Sequence, residues 1–219
     1  VQPGTVLIAE QQTGGIGRLN RVWMSPEGGI WATIVVKPDI DVENTFVIMA
    51  AASLSLAKAI RHEFGLSALI QWPNEVFIGD KKVAGTTLEL SADKGRIRYC
   101  LIGIGVDVNL SIEKSMPSLS DIVTSLSDEL GHEVERAKFF AVFLKEFERR
   151  YAMILKGETE PLLREWRSLS HTLHRRVRIR TLNEGFDGEA IDIDERGALI
   201  VHRDDGDVER VIAGDCYLL

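Results

Sequence analysis

The spacing of apolar residues changes period three times along this chain. Val6 to Glu10 and Ile30 to Val36 are short runs rich in β-branched residues and predict strands, the second closed by Pro38. Val42 to Phe64 has helical spacing and stops at Gly65, which predicts one long helix. Ala68 to Trp72, Val76 to Ile78 and Val83 to Leu90 are further short apolar runs, broken by the turn-forming pairs Pro73-Asn74 and Gly79-Asp80. Arg96 to Leu110 predicts a buried strand whose Gly103 and Gly105 let another group approach the backbone. Helical spacing returns from Ser120 to Ser170, where Phe139, Phe140, Phe143, Leu144 and Phe147 share one face and read as core. Beyond Ser170, the alternation Arg176-Val177-Arg178-Ile179-Arg180 opens a third regime, followed by apolar runs at Ile191 to Ile193, Ala198 to Val201 and Val208 to Ile212. The predicted class is α+β: a mixed central sheet with flanking helices over residues 1–170, then a small β-barrel over 171–219.

Charge and composition narrow the function. The chain has 219 residues and 26 basic against 33 acidic side chains, a net charge of −7, which argues against broad binding to nucleic acid. The longest nearly apolar stretch, Phe46 to Ala57, is too short for a membrane-spanning helix, so no membrane contact is expected. The amino terminus, Val-Gln-Pro-Gly, lacks a basic leader with an apolar stretch behind it, and Cys100 and Cys216 are far apart. Both features predict a cytoplasmic protein with free thiols. His171 and His174 lack partners at metal-ligand spacing and read as surface or interface residues, so no metal centre is predicted. Arg175, Arg176, Arg178 and Arg180 read as a solvated strand face.

Four segments carry candidate chemistry. In Gln12-Thr13-Gly14-Gly15-Ile16-Gly17-Arg18-Leu19-Asn20-Arg21-Val22-Trp23, the glycines let backbone wrap a ligand, and Arg18 and Arg21 suit carboxylate or phosphate oxygens. A solvated hairpin with two surface arginines has the same pattern. In Gln71-Trp72-Pro73-Asn74-Glu75, the last two residues offer oxygens for Mg²⁺. Lys81-Lys82-Val83-Ala84-Gly85 places an ammonium beside a buried strand, where it would oppose developing negative charge. In Gly103-Ile104-Gly105-Val106-Asp107, the glycines leave room for a ring system.

In this order and spacing, the four segments resemble the catalytic domain of biotin protein ligases, whose usual forms are Gly-Arg-Gly-Arg-x-x-Arg-x-Trp, Lys-Trp-Pro-Asn-Asp, Lys-x-Ala-Gly and Gly-x-Gly-x-Asn. The resemblance continues through Trp166 to Ala213-Gly214-Asp215. It implies a class II synthetase-like biotin/lipoate ligase fold followed by an SH3-like β-barrel. It also implies a two-step reaction in which biotin and ATP form biotinyl-5′-AMP, and the biotinyl group then passes to one lysine of a biotin carboxyl carrier protein. On this resemblance Lys82 and Arg18 are catalytic. Gln12, Gly15, Arg18, Lys82, Gly85 and Gly103 hold biotin, while Arg21, Trp23, Asn74, Lys82 and Asp107 hold ATP, with Mg²⁺ on the pyrophosphate. A homodimer is expected.

The chain departs from the family forms at Ile16 for arginine, Asn20 for glycine, Gln71 for lysine, Glu75 for aspartate and Asp107 for asparagine. In the family, a strand and helix bearing a Ser/Thr-Asn pair usually precede the segment matching Gly4 to Glu10. No such pair precedes Gln12, so either the amino-terminal part of the domain is missing from this chain or the site is incomplete. No helix-turn-helix precedes the glycine segment either, and no operator binding is expected. Two rival readings remain: a relative that binds biotin or carrier with weak or no catalysis, and a lipoate or octanoyl ligase.

Overall fold

The structure is a computed structural model that describes residues 1–181 and 184–219. Val6–Ala9 (β1) pairs antiparallel with Ile30–Val36 (β2). After a short 3-10 turn over Val42–Asn44 comes the helix Phe46–Phe64 (α1). Ala68–Gln71 (β3), Glu75–Ile78 (β4), Lys81–Asp93 (β5) and Arg96–Val106 (β6) follow and complete a six-stranded sheet in the order β1-β2-β6-β5-β4-β3. Every strand pair in it is antiparallel. The parallel component of the expected mixed sheet reduces to the isolated bridges Ile70–Ser170 and Lys82–Val123.

The helix predicted from Val42 begins at Phe46; the residues before it form the 3-10 turn, whose Val42 amide donates to the Gly95 carbonyl (3.0 Å) in the turn between β5 and β6. Gly65 ends α1 as predicted: its φ is +68°, and its amide donates to the Arg61 carbonyl at 3.1 Å. Buried Ala50, Ala51, Ala52, Ala57 and Ala59 let α1 lie close to both the sheet and the helix behind it. Its two buried serines bond to backbone one turn earlier, Ser55 Oγ donating to the Ala51 carbonyl at 2.6 Å.

The sequence did not predict the short helix Ile112–Ser115 (α2). The expected helical stretch from Ser120 to Ser170 resolves into Leu126–Leu130 (α3), Arg136–Leu155 (α4) and Thr159–Ser168 (α5), separated at Gly131 and Gly157, both with positive φ. Phe139, Phe140, Phe143 and Phe147 are buried on one face of α4, as core. Arg150, fully buried, bonds Glu165 at 3.0 Å; Glu165 also meets Lys58 at 2.7 Å, so one charge network joins α1, α4 and α5.

The chain ends in a five-stranded antiparallel sheet: Arg176–Arg180 (β7), Gly185–Ile193 (β8), Leu199–Arg203 (β9), Val208–Val211 (β10) and Asp215–Leu218 (β11), in the order β10-β9-β8-β7-β11. Its inner face carries Val177, Ile179, Ala190, Leu199 and Val201. On its outer face Arg176 pairs with Asp204 and Arg178 with Asp187, each through two hydrogen bonds. The Trp-Pro-Asn segment forms the junction between the two sheets. The Trp72 amide donates to Thr172 Oγ1 at 2.8 Å, its indole N–H to the Gly197 carbonyl at 2.9 Å, and Gln71 Nε2 to the Cys216 carbonyl at 3.0 Å. Among the described residues, no helix is long and apolar enough to cross a membrane.

Candidate active site

One row of residues across the large sheet sets up the site. Gln71 on β3 faces Glu75 on β4, Glu75 faces Gly85 on β5, Gly85 faces Gly105 on β6, and Gly105 faces Trp31 on β2. A register shift opposite Val76 and Phe77 gives β5 one extra residue: Val76 pairs Ala84 while Phe77 pairs Lys82. This bulge brings Lys82 to the same side as Gly85, so that a Cβ on Gly85 would lie 3.4 Å from Lys82 Cε. Lys82 is only 20% exposed, and its ammonium is paired with Glu75. The surface-lysine alternative therefore does not describe this side chain.

The glycine segment folds over that row as an irregular hairpin. Gln12 and Ser25 bridge, as do Ile16 and Val22, and the Trp23 amide donates to the Gly15 carbonyl at 2.9 Å. Gly15 is buried where the two arms touch; a Cβ there would lie 2.3 Å from the Trp23 carbonyl oxygen. At the tip, Leu19 and Asn20 have φ of 54° and 57°. Asparagine tolerates that region better than most residues, which accounts for Asn20 in place of the family's glycine. Ile16, in place of arginine, is 66% exposed.

Trp23 descends from the hairpin onto the two glycines. A Cβ on Gly105 would lie 2.8 Å from Trp23 Nε1, one on Gly85 would meet the same ring at 3.4 Å, and Lys82 Nζ stands 4.7 Å from the ring centroid. The indole N–H is buried and has no hydrogen-bond partner among the described residues. Gly105→Ala is expected to push Trp23 off the sheet, costing about 1–3 kcal/mol and raising acrylamide quenching of tryptophan fluorescence. Unchanged quenching would show that the ring does not rest on Gly105.

The two arginines reach across to the end of the chain. Arg18 donates to Asn74 Oδ1 at 3.2 Å and to the Gly214 carbonyl at 3.1 Å, and Arg21 pairs with Asp215. Burial lowers the pKa of Arg18, opposed by the carboxylates of Asp215 and Glu75. Asp107, just past β6, is buried near Lys82, and its carboxyl has neither a hydrogen bond nor an ion pair among the described residues. Burial pushes its pKa up to about 8, with Lys82 pulling the other way.

Arg18, Arg21, Trp23, Asn74, Lys82 and Gly85 thus gather at one place, with Asp107 beside Lys82. Gln12 and Gly15 lie further out and line an open groove of about 470 Å³ between the arms of the hairpin. Gly103 lies two residues back along β6, opposite Thr87, whose Oγ1 sits 2.2 Å from where a Cβ would be, whereas Gly105 is covered by Trp23. Two expectations need correction. Of the oxygens offered for Mg²⁺, Asn74 Oδ1 accepts from Arg18 and Glu75 Oε1 from Lys82, and no cluster of three metal-binding side chains occurs among the described residues. Gln71, read as a cation lost from the site, is buried at the junction with β11, on the far side of Glu75. Of the surface and interface readings of His171, the interface one holds: it lies buried at the junction, stacked on Phe77 with ring centroids 5.6 Å apart.

Sequence reading missed Asp215 and the pairing role of Glu75. Asp215 lies 194 residues from Arg21, and no local pattern announces such a contact. Chemically, the arrangement sets three cations and an indole over a glycine floor, suited to an anion joined to a flat ring system.

Comparisons with known proteins bear on the family and the fold. The model of the biotin/lipoate A/B protein ligase family matches residues 1–107, and that of the biotin protein ligase C-terminal domain matches residues 172–219. The bifunctional ligase/repressor BirA of Bacillus subtilis is 34% identical over 216 residues, covering 98% of this chain, which spans 66% of that relative's length. The biotin–[acetyl-CoA-carboxylase] ligase of Paracoccus denitrificans is 29% identical over 200 residues, 89% of this chain and 82% of its own. The biotin protein ligase from Aquifex aeolicus in complex with biotin and ATP superposes with a TM-score of 0.86 at 26% identity, covering all of this chain and 90% of that one. Matched in both its large and its small sheet domain, the chain belongs to the biotin/lipoate A/B protein ligase family.

Proposed function

We propose that the chain is a biotin protein ligase. Biotin and ATP react to give biotinyl-5′-AMP and pyrophosphate, and a lysine of a biotin carboxyl carrier protein then takes the biotinyl group and releases AMP. The observation that carries this reading is the convergence of Lys82, Arg18 and Arg21 beside Trp23 on the Gly85–Gly105 floor. A carboxylate oxygen must bond to an α-phosphorus that is itself negatively charged, and the pyrophosphate oxygen must leave with the electron pair of the broken P–O bond. Cations held in place at both anions lower that barrier.

On this reading Lys82 touches the carboxylate and the α-phosphate, and Arg18 neutralises the carboxylate. Gln12, Gly15, Gly85 and Gly103 hold biotin, while Arg21, Trp23, Asn74 and Asp107 hold ATP. Mg²⁺ enters with ATP as part of the substrate. In the second step the uncharged lysine amine of the carrier attacks the acyl carbon, AMP departs, and the amide nitrogen sheds a proton. Residues 1–170 form the catalytic unit and 171–219 the SH3-like one. A homodimer through the open edge of β1, where Leu7 and Ile8 are 58% and 62% exposed, and a cytoplasmic location complete the proposal. DNA is not among the proposed partners, in line with the net charge of −7.

The position of Gln71 bears on the rival reading of a disabled relative. Its side chain serves the domain junction, so the chain lacks one site cation at most, at Ile16. The test is ATP–pyrophosphate exchange with biotin, octanoate and lipoate in parallel. Exchange with biotin, about tenfold or more above either fatty acid, is expected from a site that reads polar groups. Exchange with octanoate or lipoate alone would reassign the substrate. Biotin binding without exchange would leave a binding protein.

A further inference from the structure

Both arginines of the glycine hairpin are held by the last strand of the small sheet. Arg21 pairs with Asp215, the first residue of β11, and Arg18 donates to the carbonyl of Gly214 just before it. Tyr217 reinforces the pair, its hydroxyl lying 3.5 Å from the same Asp215 oxygen. Gly214 sits so close to the Arg180 carbonyl, 2.7 Å from where a Cβ would be, that β11 enters its sheet at a fixed position. The hairpin tip has few other side-chain contacts: Arg18 also donates to Asn74 Oδ1 at 3.2 Å, while Leu19 and Val22 are exposed.

We propose that Asp215 is an internal competitor for the anion site at Arg21, a carboxylate carried by the small domain that latches the hairpin until a nucleotide phosphate displaces it. The inference rests on the reading above in which Arg21 meets ATP. A latch of this kind taxes ligand affinity by the fraction of molecules in which it is closed, and breaking it returns that factor. It also makes the small domain a sensor of nucleotide, since the hairpin and β11 part when the phosphate arrives.

Two measurements on the whole chain test it, with Asp215→Asn as the broken latch and Asp215→Glu as the charge-keeping control. Calorimetric titration with MgATP is expected to show about fivefold tighter binding to Asp215→Asn, the upper end for a partly exposed ion pair. Thermolysin cleavage beside Leu19 and Val22, without nucleotide, is expected to speed up about fivefold, because proteolysis tracks the open population. Asp215→Glu stays near the wild type in both. Equal or weaker MgATP binding by Asp215→Asn overturns the latch, as does an unchanged cleavage rate, a control that behaves like the asparagine variant, or failure of all three chains to bind MgATP. Biotin-dependent exchange in the wild type judges the ligase reading separately. If it is absent while Asp215→Asn still binds MgATP more tightly, the latch stands and that reading falls; with exchange present and no tightening, the reverse holds.

Discussion

Lys82→Ala is expected to lower biotin-dependent ATP–pyrophosphate exchange by about 10²–10³-fold, the usual effect of removing one preorganised charge from a site where negative charge gathers. Lys82 differs from the arginines in its anchoring. The bulge in β5 fixes its backbone, and Glu75 and the Trp23 ring hold its ammonium from two sides. Part of that environment works against the variant: once the ammonium is gone, Glu75 faces the substrate anions without its counter-ion. Lys82→Arg keeps the charge but forces a longer, planar group between Glu75 and Trp23, and is expected to recover only part of the rate. Circular dichroism and thermal melting should place both variants close to the wild type, because the side chain sits on the rim of the sheet. Single-turnover adenylation within about threefold of wild type in Lys82→Ala would remove Lys82 from the catalytic residues.

Most of the elements were legible because each is specified locally. β-Branched residues marked β2 and β6, alternation marked β7, and Gly65 stopped α1 as a left-handed cap. The unseen α2 is held by a tertiary hydrogen bond, the Ile112 amide donating to Asp128 Oδ2 at 3.0 Å, which leaves no trace in periodicity. At the site, Arg18, Arg21, Trp23 and Lys82 could be read from the type and order of residues in the four segments. Which side chain covers each glycine could not. It depends on register, because Thr87 stands over Gly103 while Gly105 lies opposite Gly85 under Trp23. The counter-ions were hidden for the same reason. Glu75 and Asp215 reach Lys82 and Arg21 only through strand pairing and the packing of the two domains.

The departures from the family pattern become easier to understand one by one. Asn20 keeps a left-handed backbone, Ile16 faces solvent, and Gln71 is a junction residue. Each preserves the geometry of the hairpin or the domain contact, and none places a new negative charge at the site.

Asp107 is the exception on paper, and its behaviour with pH is expected to show why it is tolerated. With its carboxyl pushed up to about 8 by burial, Asp107 is uncharged at neutral pH and stands in for the family's asparagine without adding charge beside Lys82. Above pH 8 it ionises, repels the phosphate and takes up part of the positive field of Lys82, so exchange activity in the wild type is expected to fall. Stability follows the same proton. Between the ordinary aspartate value of 3.8 and about 8, the native state holds a proton that the unfolded state has lost. Stability therefore decreases as pH rises through that window, by at most about 1.4 kcal/mol per pH unit, and levels off above it. Asp107→Asn removes the titrating group without changing shape. Its exchange activity should stay flat from pH 7 to beyond pH 9, and its urea midpoint should lose the decline seen in the wild type between pH 5 and 8. Parallel profiles for the two proteins would mean that another group governs the alkaline fall.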